Sequence, residues 1–219
     1  MNLFKIPCAL TLLALASAPE SVYANEGGWY TTAIFGVASQ SDQALDFTGN
    51  GNPQTANSRL SSGLLAGAAL GYGFASGWRV EGEFIYQSVD AKDPGLLPPA
   101  PVGKGDYAST GLALNALYDF DLFGSKHTTT YLGAGVVMLN EVDIDFENNG
   151  IERSYSGSDT ALQLLFGARY RLGERFFMDA GLRYLTASSV RLESEDGAFG
   201  EIRADYQPWA ATVALGWQF

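Results

Sequence analysis

Charged residues in this chain recur two apart. Arg79, Glu81 and Glu83 form one run, Arg169 and Arg171 a second, and Asp179 and Arg183 share a third, with Asp119 and Glu141 at single positions of the same kind. A spacing of two puts side chains on one face of a strand. Four cations and five anions on such faces offer one chemistry above all, a mutual ion-pair and hydrogen-bond network. Removed from water, each would be costly without a partner. Other constellations offer less. Serine-type chemistry needs a base beside the nucleophile, and the sole histidine, His127, has no carboxylate at a telling spacing. Asp143, Asp145 and Glu147 alternate and have the oxygen ligands of a hard cation such as Ca²⁺, but the full EF-hand pattern is missing. Such charge more often keeps a segment solvated. The chain has no glycine-rich phosphate loop and no His/Cys cluster, so neither cofactor nor metal is expected.

The faces opposite these charges are apolar, and that defines the elements that carry them. In 78–90, Trp78, Val80, Phe84 and Tyr86 alternate with Arg79, Glu81, Glu83 and Gln87. Seven further segments alternate in the same way: 29–39, 63–75, 107–120, 128–141, 159–172, 175–189 and 206–219. A period of two predicts strands. The segments are longer than the 5–6 residues of an ordinary strand and match the roughly 9–11 that a tilted strand needs to cross a bilayer. Ser76-Gly77 and Gly173-Glu174 are two-residue hairpin signals. The connections alternate: 76–77, 121–127 and 173–174 are short, whereas 40–62, 91–106, 142–158 and 190–205 are predicted as long loops.

The last strand shows the pattern most fully. Trp209, Ala211, Val213, Leu215, Trp217 and Phe219 share one face, and the other carries Pro208, Ala210, Thr212, Ala214, Gly216 and Gln218. A water-soluble sandwich would place charge on that second face. Here it is small and uncharged, which suits lipid on one side and a tight lumen on the other. The 26 glycines fit a narrow barrel, whose inward positions must often be small.

Lys5, the apolar run 9–16 and Val22-Tyr23-Ala24 predict a secretory signal peptide, 1–24, cleaved after Ala24. It holds the only cysteine, Cys8, so disulfides are not expected in the remaining 25–219. About 195 residues suit one domain. The net charge of −11 argues against nucleic acid. Segments 142–158 and 190–205 each net −3.

The signal, eight strands, alternating loop lengths and terminal Trp217-Gln218-Phe219 together resemble the small eight-stranded bacterial outer-membrane β-barrels. These include the OmpA transmembrane domain, OmpX and the Opa-like surface antigens. The resemblance implies an all-β, antiparallel, up-and-down transmembrane barrel over 25–219 with short periplasmic turns and four long extracellular loops. It implies Trp217 and Phe219 as an assembly signal read by the barrel-assembly machinery. It also implies outer-membrane lipid or lipopolysaccharide as surroundings, a monomer, and a structural or recognition role toward a host or cell-surface ligand. A narrow porin-like channel is the alternative, and a lipid-modifying enzyme a third. Arg79, Glu81, Glu83, Asp119, Glu141, Arg169, Arg171, Asp179 and Arg183 are then expected to face the lumen.

Overall fold

The computed structural model describes residues 27–40, 43–48, 54–94, 104–148, 151–194 and 201–219; the expected signal peptide and its cleavage site lie outside the described residues. Ten strands follow in chain order: β1 (Gly28–Ser39), β2 (Gln43–Thr48), β3 (Gln54–Gly73), β4 (Trp78–Pro94), β5 (Lys104–Phe120), β6 (Thr128–Asn148), β7 (Ile151–Arg171), β8 (Phe176–Ser194), β9 (Glu201–Tyr206) and β10 (Trp209–Gln218). They form one antiparallel sheet in which β1 pairs both β10 and β3, and β8 pairs both β10 and β9, so the sheet closes into a ring.

The count of ten, against the expected eight, comes from the first and last walls. Ser39 pairs Ser62 and Gln43 pairs Ser58, so β1 and β2 lie in one register along β3. Tyr206 pairs Ala187 and Trp209 pairs Tyr184, so β9 and β10 continue each other along β8. Pro208 separates the latter two; it has no N–H to give a ladder.

The described parts of the predicted long loops are almost entirely strand. β2 and the start of β3 occupy much of 40–62, β4 runs on to Pro94, and β6 and β7 reach Asn148 and Ile151. β6 and β7 have 21 residues each, about twice what a crossing requires. The walls therefore extend well past any bilayer. The alternation stops being legible where the register shifts. Shifts lie between Thr110 and Gly111, Leu139 and Val142, Ser156 and Leu162, and Ala187 and Val190, side by side across β5 to β9. A bulge adds a residue and reverses which parity faces inward.

On the short-turn side of this line the outer face is apolar, with Phe35, Leu64, Phe84, Leu114, Leu164, Leu182 and Leu215 exposed. Aromatic pairs bound that band. Trp29 meets Tyr72, Trp78 meets Tyr118 and Trp217 meets Phe219 near the short turns, and Tyr184 meets Trp209 at the other border. This is the banding of a wall that faces lipid. Beyond the line the outer face turns acidic, with Asp90, Asp106, Glu141, Asp145, Glu193 and Asp205 exposed.

Candidate functional site

The barrel interior gathers seven of the nine charges singled out in the sequence. Nearest the short turns, the Arg79 guanidinium donates from Nε to Asp119 (2.9 Å) and from Nη1 to Glu81 (2.7 Å). The Tyr30 hydroxyl donates to the same Glu81 oxygen and accepts from Arg79 Nη1. Across the lumen Arg169 grips Asp179 with two bonds of 2.8 Å each, the fork geometry that makes arginine–carboxylate pairs strong. Its guanidinium lies 3.6 Å over the Phe177 ring, and that of Arg79 lies 5.1 Å over Tyr131.

One level further in, four side chains close a cycle. Arg183 donates to Glu83 (2.6 Å), Asn115 donates to Glu83 (2.9 Å), Gln163 donates to Asn115, and Arg183 reaches Gln163 (3.4 Å). The Arg183 and Glu83 side chains are 5% and 1% exposed. At that depth the pair needs every bond, since each ion has given up its water. Arg79 Nη2 and Arg183 Nε have no hydrogen-bond partner among the described residues. Tyr30, Asn115 and Gln163 complete the network but escape a search by charge, although all three share the inward parity.

Two predicted members stand elsewhere. Glu141 is exposed on the outer wall. Thr110 pairs Glu141 while Gly111 pairs Leu139, so Asn140 is an inserted residue. Leu139 and Val142 take the inward positions and push Asn140 and Glu141 out together. Arg171 keeps the inward parity but lies exposed at the rim, where it lines a mouth cavity with room for about 100 Å³ of water beside Tyr30, Arg79, Arg169 and Phe177.

Glycines make room for this filling. A side chain at Gly216 would strike the Phe177 ring at 2.0 Å, and one at Gly71 the Tyr30 ring at 2.3 Å. Glycine in a strand marks such close approach.

Beyond the charged cycle the interior is mainly apolar, with Gln87 and Ser109 buried among its side chains. Val89, Tyr107, Leu139, Val142, Ile144, Tyr155, Leu185, Leu192 and Tyr206 form one buried cluster. Tyr107 and Tyr206 pack with ring centroids 5.3 Å apart, and the Tyr206 hydroxyl bonds Ser109.

The remaining candidates are peripheral. His127 is exposed in the 121–127 turn, its ring 6.3 Å from Tyr170. Among the described residues no three His, Cys, Asp or Glu stand close enough to hold a metal ion; the Glu147 side chain lies outside them. Trp217 pairs Thr31 across the closing seam, and the Phe219 amide donates to the Trp29 carbonyl (3.0 Å).

The outer membrane protein beta-barrel domain family matches residues 8–219. Among solved structures, OprG of Pseudomonas aeruginosa aligns over 90% of this chain and 98% of its own, at 20% identity and a TM-score of 0.57. Neisserial surface protein A aligns over 89% and 100%, at 17% identity and a TM-score of 0.52. Such likenesses speak for the fold alone. No curated protein matches the chain. With its closed ring, its apolar outer band and a family match across nearly its whole length, the chain belongs to the outer membrane protein beta-barrel domain family and is a barrel of the bacterial outer membrane.

Proposed function

We propose that this barrel is a sealed, monomeric scaffold that works by presenting its far rim for surface recognition, and that it carries out no catalysis. The apolar filling beyond the charged cycle supports this most directly. Ions crossing the lumen would have to shed water against Val142, Leu192 and the Tyr107 and Tyr206 rings, with the tyrosine hydroxyls, Ser109 and Gln87 as polar groups there and, among the described residues, no buried charge to replace the lost water. The walls also stand far beyond the bilayer, which suits display rather than passage. A ligand on a host or neighbouring cell is the partner this reading favours. Lipopolysaccharide would surround the outer band, and the assembly machinery would read Trp217 and Phe219.

A narrow channel is the second reading. The mouth cavity and the paired charges behind it favour it, because a gate of salt bridges needs both. Binding of host cells and matrix proteins to bacteria with and without the protein tests the first reading. Binding that depends on the protein, and falls when the rim residues Arg191 and Arg203 are replaced by Ser, is expected. Equal binding by both strains contradicts it.

A further inference from the structure

The outer wall has a recess that the lumen and the rim do not explain. Phe120, Thr130, Ala168, Ala180 and Val213 form one outward row, each opposite the next across β5, β6, β7, β8 and β10. Its three middle members are small. The row above carries Leu132, Phe166 and Leu182, and the row below Thr128, Tyr170 and Met178. A groove of about 310 Å³ results, floored by Gly167 and Gly181 as well as the two alanines. Phe123 of the 121–127 turn folds back to form one side of it. That turn is braced: Asp121 Oδ1 accepts from the amides of Phe123 (3.1 Å) and Gly124 (2.7 Å).

Thr130 gives the recess a polar point. It is 1% exposed, lines the groove, and its hydroxyl has no hydrogen-bond partner among the described residues. A buried hydroxyl without a partner is costly, and in a lipid-facing wall no water compensates it. We propose that the recess binds one diacyl phospholipid of the leaflet on the short-turn side. An acyl chain lies against Ala168 and Ala180 beneath Phe123, and an ester carbonyl accepts from Thr130.

Depth and charge both favour this occupant. Thr130 is two residues into β6, which begins at Thr128, so it lies roughly 7 Å along the strand from the rim. That is the border between head group and hydrocarbon, where a phospholipid carries its ester carbonyls. Lys126, exposed in the same turn as Phe123, offers a cation to the phosphate. A second copy of the barrel would bring apolar side chains to the groove and leave the hydroxyl without an acceptor.

Native mass spectrometry of the purified full-length barrel, in micelles containing dioleoyl phosphatidylethanolamine, tests the proposal. The wild type should retain one phospholipid. Ala180→Leu fills the recess and should weaken retention at least about tenfold. Thr130→Val keeps the shape and removes one hydrogen bond, so about two- to tenfold weaker retention is expected. Ala68→Leu, outward on β3, should change nothing. The heat-dependent shift of the folded band on SDS gels checks that each variant is folded. Equal retention by all four proteins overturns the proposal, as does a wild type that retains none. A lipid-free dimer that Ala180→Leu dissolves overturns it in favour of contact between copies.

Discussion

Toward the short turns, the wall buries Glu83 and Arg183 and shows Val80 and Phe84 outside; beyond the bulges, it buries Val142, Ile144 and Leu192 and shows Asp145 and Glu193 outside. Strands β3 to β8 run through both halves, so strand propensity does not separate them. The solvent around the wall does. Where lipid surrounds it, apolar residues face out and the interior closes with paired charges set among buried apolar side chains such as Leu117, Leu165, Ile85 and Val137. Where water surrounds it, the rule is that of any soluble sheet, apolar within and polar without. The register shifts lie where one rule gives way to the other.

The comparison is broken hardest by removing one ion from the charged half. Arg183→Met leaves Glu83 buried with Asn115 as its one remaining donor. A loss of about 3–5 kcal/mol is expected, read as a lower temperature at which the folded band disappears on an SDS gel. Adding Glu83→Gln should recover much of that loss, because no charge is then left alone. Full stability of Arg183→Met would mean that the pair is hydrated.

In the apolar half the corresponding change is a cavity. Leu192→Ala should cost about 2–5 kcal/mol, measured by urea unfolding from lipid vesicles. No second substitution to a polar residue should rescue it, in contrast to Arg183→Met. Rescue by a polar partner would show that the upper interior is wet.

A smaller effect separates inside from outside at the bulge. Glu141→Gln is expected to change stability by less than about 0.5 kcal/mol, whereas Glu83→Gln alone leaves Arg183 without its anion and should be several-fold costlier. Similar losses for both would put Glu141 in the lumen after all.

The smallest expected effect lies on the acidic outer face. Asp106 pairs Asp90 on one side and Asp145 on the other. Partial burial, then the Asp145 and Asp90 charges, push its carboxyl above the usual range. A folded-state pKa raised above the unfolded one costs stability at pH values above it, and the cost fades as the pH falls through it. Asp106→Asn should therefore stabilise the barrel slightly at pH 7 and hardly at all near pH 3, with solvent screening keeping the gain small. An equal gain at both pH values would assign the effect to something other than charge.

The sequence carried the lipid-facing half well, because there the alternation is uninterrupted and its outward members are large. Trp29, Phe35, Val80, Phe84, Leu215 and Trp217 all lie on the face their spacing predicts. The inward charges from Arg79 to Arg183 were legible for the same reason, except where chain geometry intervened. One inserted residue, Asn140, reversed the parity and carried Glu141 to the outside. The water-facing half was read as loops because its polarity is inverted. Val142, Ile144 and Leu192 alternate with Asp143, Asp145 and Glu193, and next to glycine- and serine-rich turns that alternation passes for solvated connection. Tyr30, Asn115 and Gln163 carry no charge, so nothing in their type marked them as partners of Glu81 and Glu83.

Single-channel conductance across planar bilayers tests the sealed interior most directly. Three proteins suffice: the wild type, the lower-half variant Arg183→Met with Glu83→Gln, and an upper-half variant with Tyr107, Leu192 and Tyr206 each changed to Ala. The first two should stay closed, because the apolar cluster still fills the lumen, and the third should open intermittently. A lower-half variant whose conductance rises several-fold while its folded band keeps its heat resistance would contradict the account, since the paired charges and not the apolar cluster would then be what closes the barrel.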